Sequence, residues 1–189
     1  MVMKWNEYVK LFDEILEGKI TGAPYDQEDF LKYVSLNKMR QNRWLKHGKL
    51  NHELTEKLQR LNAAQEWILI TEPWCGDASQ IAPFVQKLAE CSDNICLTIQ
   101  LRDSEGSLIN DYLTNGAMAI PKLIVRNENG NDLFNWGPRP ADAQQIHLLN
   151  KENTEKTAEE KKTELQLWYN KDKGAMLQEE LLEAFNAFL

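Results

Sequence analysis

Glu72-Pro73-Trp74-Cys75-Gly76-Asp77-Ala78 stands between two stretches of different period. Before it, Trp67-Ile68-Leu69-Ile70-Thr71 is a short continuous apolar run, the pattern of a strand buried on both faces. After it, Ile81, Phe84, Val85, Leu88 and Cys91 recur at helical spacing, which predicts a helix over 77–91. The seven residues therefore lie on a strand-to-helix junction. A cysteine there meets unpaired backbone N–H groups and the positive end of a helix dipole, both of which favour the thiolate. Asp77 and Glu72 act the other way, because like charge within a turn raises a thiol pKa. The two effects are of similar size, so the residues alone leave the sign of the net shift open. A small buried hydrophobe is the other reading of an isolated cysteine.

Outward from the motif, Ile95 to Leu101 reads as a second strand and residues 105–115 as a short helix with Leu108, Ile109, Tyr112 and Leu113. Leu123-Ile124-Val125 and Leu133-Phe134-Asn135-Trp136 flank the turn signal Asn129-Gly130-Asn131 and read as a hairpin. Upstream the chain is helical. Trp5, Tyr8, Leu11, Phe12, Ile15 and Leu16 form one stripe, a second helix runs from an Asp26 N-cap to about Gly48, and a third spans about 51–61. Downstream, residues 151–164 hold no large apolar side chain and read as a solvated helix or linker. After Gly174, Leu177, Leu181, Phe185 and Phe188 mark a last amphipathic helix. This order predicts an α/β mixed sheet with a parallel start and an antiparallel finish. The expected organisation is a helical annex over 1–65, a sheet-containing domain over 66–150 and a helical extension over 151–189 that packs on the annex.

Trp74-Cys75-Gly76 resembles the Trp-Cys-Gly-x-Cys active-site motif of the thioredoxin family, on the same junction. Ala119-Ile120-Pro121-Lys122-Leu123-Ile124 is similar to that family's second signature, a cis-proline that opens an antiparallel strand and faces the active cysteine. A proline at the first residue of a strand also agrees with its missing N–H. The resemblance covers roughly residues 66–150. It implies a thioredoxin-like fold with Cys75 as nucleophile and Trp74, Gly76, Asp77, Ile120, Pro121, Trp136 and Gly137 as substrate-contacting residues.

This chain departs from the family pattern at two points. Ala78 stands where the family has its resolving cysteine, and Leu69 falls where it has a buried acid. Cys91 lies about 14 residues along the helix from Asp77, roughly 20 Å away, and Cys96 opens the neighbouring strand, also roughly 20 Å off. A disulfide needs Cα atoms within about 7 Å. Both are read as core residues. The resemblance then implies a monothiol thiol–disulfide oxidoreductase in which Cys75 attacks a disulfide and an external thiol resolves the adduct. Its partner would be a disulfide- or thiol-bearing protein or a low-molecular-weight thiol. The alternative is a binding module that kept the fold and lost turnover. A glutaredoxin-like iron–sulfur protein is disfavoured, since no Gly-Gly segment follows Pro121.

Composition sets the outer limits. The 189 residues are 42% hydrophobic and 27% charged, with a net charge of −7, which argues against nucleic-acid binding. No apolar run reaches the roughly 18 residues of a membrane span, and the polar N-terminus offers no signal-peptide core. A cytoplasmic protein is expected. His47, His52 and His147 form no ligand pattern, so no metal and no cofactor is read. The basic set Lys38, Arg40, Arg43, Lys46 and Lys49 reads as a solvated helix face, with an anionic substrate as the sharper alternative. Arg139 is read as a salt-bridge partner, a screen for Asp77 or a ligand for a substrate carboxylate. The terminal helix is read as packing internally, with homodimerisation as its alternative.

Overall fold

The computed structural model describes residues 2–188. Its centre is a five-stranded mixed sheet in the order β1-β3-β2-β4-β5, built from β1 (Val2–Met3), β2 (Gln65–Thr71), β3 (Ile95–Leu101), β4 (Lys122–Asn127) and β5 (Asp132–Trp136). β2 and β3 run parallel through α4 (Ala78–Ala89), while β4 lies antiparallel to β2 and β5 to β4. The parallel start and antiparallel finish agree with the order of apolar runs. The edge strand β1 was not expected from sequence. Its two residues pair antiparallel with Gln100 and Ile99, and so short a strand has no period to read.

Three helices precede the sheet core: α1 (Trp5–Leu16), α2 (Glu28–His47) and α3 (His52–Gln59). Three follow it: α5 (Ala141–Glu152), α6 (Ala158–Asp172) and α7 (Ala175–Phe188). Asp26 is not the N-cap of α2; Gln27 occupies that position and makes no side-chain cap bond. The helix expected over 105–115 is a single 3₁₀ turn, Leu108–Asp111. Gln100 explains the difference, since its side chain accepts the Leu108 N–H and donates to the Gly106 carbonyl, holding the segment as loop. The polar stretch after α5 resolves into a link and then α6, which starts on a Thr157–Glu160 capping box.

The strands alternate. Trp67, Leu69, Leu97, Ile99, Leu123 and Val125 enter the larger core, and Ile68, Ile70 and Ile124 enter a smaller one with Cys75, Ala78, Ile109 and Ile120. The larger core draws on all parts of the chain: Tyr8 and Phe12 from α1, Val34 and Trp44 from α2, Leu54 and Leu58 from α3, and Leu177, Leu181 and Phe185 from α7. Phe185 stacks on Trp67 with ring centroids 5.7 Å apart. Leu177, Leu181 and Phe185 of the α7 stripe are thus buried within their own chain, while Phe188 is exposed. Cys96 corrects the expectation of a core residue. It points to the opposite face from Leu97, beyond the reach of the smaller core, and is exposed with Lys4 Nζ 3.2 Å from its sulfur. Cys91 is half-buried, its S–H donated to the Lys87 carbonyl at 3.3 Å.

Candidate functional site

The motif follows the C-terminal end of β2 and opens α4. Asn37 of α2, wholly buried, donates from Nδ2 to the Pro73 carbonyl at 3.0 Å and so fixes the motif from outside the sheet. Cys75 is buried. Its backbone N–H donates to the Glu72 carbonyl, its sulfur accepts the Ala78 N–H at 3.5 Å, and its S–H is donated to the Ile120 carbonyl at 3.5 Å. Ile120 precedes Pro121 through a cis peptide bond, the arrangement the resemblance implied.

Electrostatics at the sulfur resolve the sign left open above. Burial pushes the Cys75 thiol up to about 12, and the Asp77 carboxylate adds to the rise. The N–H groups of Ala78 and Asp77 and the charge of Arg139 pull it down by less. Asp77, also buried, places one oxygen 2.7 Å from Arg139 Nη2 and accepts the Tyr169 hydroxyl on the other at 2.9 Å. Arg139 also donates to Gln144 at 3.1 Å. Arg139 therefore screens Asp77 in a buried ion pair. Glu72 accepts the Asp103 N–H at 2.9 Å, and burial lifts its carboxyl to about 7.

Above the motif lies a cleft of about 1310 Å³. Trp74, Cys75, Gly76, Asp77 and Ile120 line it, so the structure brings these five expected residues together. Trp74 forms one wall, edge-on to Phe30 at 6.0 Å and under the Arg102 guanidinium at 4.7 Å. Pro121, Trp136 and Gly137 are not part of the lining. Pro121 is buried beneath Ile120. Trp136 packs against the larger core and donates its indole N–H to Glu180 at 2.6 Å. Gly137, at φ +121°, lies so close to the Pro121 carbonyl that a Cβ would fall 2.3 Å from its oxygen. Its part is to let the loop after β5 press on the cis-proline.

α6 supplies the wall that no local motif announced. Gln166 accepts from Gln80 at 2.6 Å, Asn170 accepts from Arg43 at 2.6 Å, and Lys162 bonds the Tyr33 hydroxyl, tying α6 to α2 and α4. Gln80 also accepts the Trp44 indole N–H. Arg40, expected on a solvated face, is half-buried in the cleft. A smaller cavity of about 660 Å³ between α2, the loop after it, the end of α6 and α7 holds no part of the motif. Among the described residues no group of three metal-ligating side chains occurs, and no helix is long and apolar enough to cross a membrane.

The mixed sheet, the cysteine at the start of α4 and the cis-proline facing it define a thioredoxin-fold protein. A family model described as thioredoxin matches residues 24–162, and the chain belongs to that thioredoxin-like family. The matched range is wider than 66–150; it takes in α2, which holds Pro73 through Asn37, and the start of α6, which lines the cleft. Two solved structures share the fold. One is a Pseudomonas aeruginosa protein of unknown function, 19% identical, with a TM-score of 0.61 over 99% of this chain and 93% of that one. The other is an HIV epitope-scaffold, 20% identical, with a TM-score of 0.53 over 95% of this chain and 98% of that one. No curated protein matches the sequence.

Proposed function

We propose that this chain is a thioredoxin-fold binding protein whose cleft over Cys75 holds a ligand while the thiol stays protonated. The carrying observation is the S–H of Cys75 donated to the Ile120 carbonyl inside a buried pocket. That geometry satisfies the thiol, whereas a thiolate would face an oxygen lone pair. With the thiol at about 12, the thiolate fraction at pH 7 is on the order of 10⁻⁵. Reactive cysteines have values of about 3.5–7.5. Ala78 offers no second thiol, Cys96 is on an exposed strand face and Cys91 is at the far end of α4. Alkylation by iodoacetamide across pH, followed by mass spectrometry, tests the reading. Exposed Cys96 should label readily, and Cys75 should stay unlabelled below about pH 10 without denaturant. A Cys75 plateau with its midpoint below about 8.5 would overturn it.

The second reading, monothiol exchange, draws support from the Ala78 N–H aimed at the sulfur and from the sulfur lining the cleft. Here the Cys75 thiolate attacks a disulfide, forming a mixed disulfide and releasing one thiolate. An external thiol then attacks that bond, regenerates Cys75 and leaves as the new disulfide. Intact-mass detection of a Cys75 adduct after incubation with glutathione disulfide, absent in Cys75→Ser, would favour this reading over silent binding.

A further inference from the structure

The cleft is positive in a negative protein. Six basic side chains line it: Arg40, Arg102, Arg139, Lys151, Lys161 and Lys162. Three acidic ones do so, and two of these are spoken for, Asp77 by Arg139 and Asp103 by the two-pronged contact of Arg102. Only Glu159 then stands against Arg40 and the three lysines. The whole chain carries −7, so the local excess is not a by-product of composition.

Arg40 is the sharpest feature. Its Nη1 bonds to the Asn37 side-chain oxygen at 3.0 Å, and among the described residues Asp77 and Glu159 attract it only from beyond salt-bridge range while Arg43 repels it. A half-buried guanidinium without a direct ion-pair partner is costly, and an anion beside it would recover part of that cost. Arg40 lies beside the motif, since a Cβ on Gly76 would be 3.9 Å from Nη1. Across the cleft, Lys161 and Lys162 extend from α6. The same lining holds Phe30, Trp74 and Ile120. Apolar rings beside a few charged groups are the lining of a small-molecule site.

We propose that the cleft takes a small organic anion, a carboxylate or phosphate ester on a ring-bearing apolar body, with its charge at Arg40, Lys161 and Lys162 and its body against Phe30 and Trp74. The proposal rests on the binding reading above and names the ligand class. Calorimetric titration of the full chain with 1-naphthyl phosphate, 1-naphthoate and neutral 1-naphthol tests it. The anions should bind at least about tenfold more tightly than the naphthol, since a hydrogen bond to a charged group contributes about 1.5–3 kcal/mol. The ranking of the two anions tells a phosphate ligand from a carboxylate one. Arg40→Gln should weaken anion binding about tenfold. The double variant Lys161→Gln/Lys162→Gln, on a different helix, should weaken it in the same direction, with the circular dichroism spectrum and urea midpoint of both variants checked against the wild type. Equal binding of naphthol and the anions, wild-type affinity in both variants, or no binding by any of the three would overturn the proposal. The binding reading fails separately, on the Cys75 labelling profile.

Discussion

Cys75 shows how two local rules are ranked by a third, nonlocal one. The helix N-terminus does reach the sulfur through the Ala78 N–H, and Asp77 does oppose it. Burial outweighs both, and it comes from residues distant in sequence, Ile109, Ile120 and Ile124 among them. Asp77→Asn should therefore lower the thiol midpoint, yet leave it above about 8.5, as read by the pH dependence of labelling. Glu72 gives a second titration. Burial holds its carboxyl at about 7, against an ordinary value of 4.5. The folded chain keeps a proton that the unfolded chain loses, so this residue's share of stability falls as pH rises from about 4.5 to 7 and is level above that. Glu72→Gln should match the wild type near pH 4 and exceed it by on the order of 2–3 kcal/mol at pH 8, measured by urea unfolding. The two glycines beside the site differ as sharply. Gly137→Ala meets a carbonyl at 2.3 Å with φ +121° and should cost more than about 2 kcal/mol. Gly76→Ala finds its nearest neighbour at 3.6 Å and should cost less than about 0.5 kcal/mol. The motif, the cis-proline and the Asp77–Arg139 pairing were legible in the sequence because each sits at a recognisable junction. Tyr169 was not, for a tyrosine in a charged helix gives no sign that its hydroxyl reaches a carboxylate 92 residues earlier.

At the scale of elements, long periodic segments were legible and short ones were not. The parallel start and antiparallel finish of the sheet followed from apolar runs, whereas β1 and the 3₁₀ turn at Leu108–Asp111 depend on bonds to β3 that leave no periodic trace. α6 is the clearest case of an element whose position outweighs its pattern. Its residues carry little amphipathic signal, yet it meets the motif through Tyr169 and Gln166, and α2 through Asn170 and Lys162. Tyr169→Phe deletes only a hydroxyl. It leaves a buried carboxylate short of a donor, so a loss of about 1.5–3 kcal/mol is expected in chemical denaturation. Trp136 shows the reverse case. The resemblance implied a ligand-facing tryptophan, whereas here the half-buried ring packs against the core and α7 supplies Glu180 as its partner.

Over the whole molecule, residues from before, within and after the sheet share one apolar core. The fold should accordingly unfold in a single step, with tryptophan fluorescence and far-ultraviolet circular dichroism superimposing in urea. A first transition confined to one probe would contradict that. The distribution of charge follows the same logic of distant parts brought together, since the cleft's cations come from α2, from the loops after β3 and β5 and from α5 and α6. Of these, only Arg40 belongs to the basic stretch for which the sequence offered an anionic substrate as an alternative.

The dependence of the motif on α6 has a consequence in time. Tyr169 is synthesised 92 residues after Asp77. At translation rates of about 5–20 residues per second, the nascent chain carries Cys75 without its C-terminal wall for on the order of 5–20 seconds. During that interval Asp77 lacks its tyrosine donor, so the buried ion pair beside the thiol is completed only after every strand of the sheet has been made.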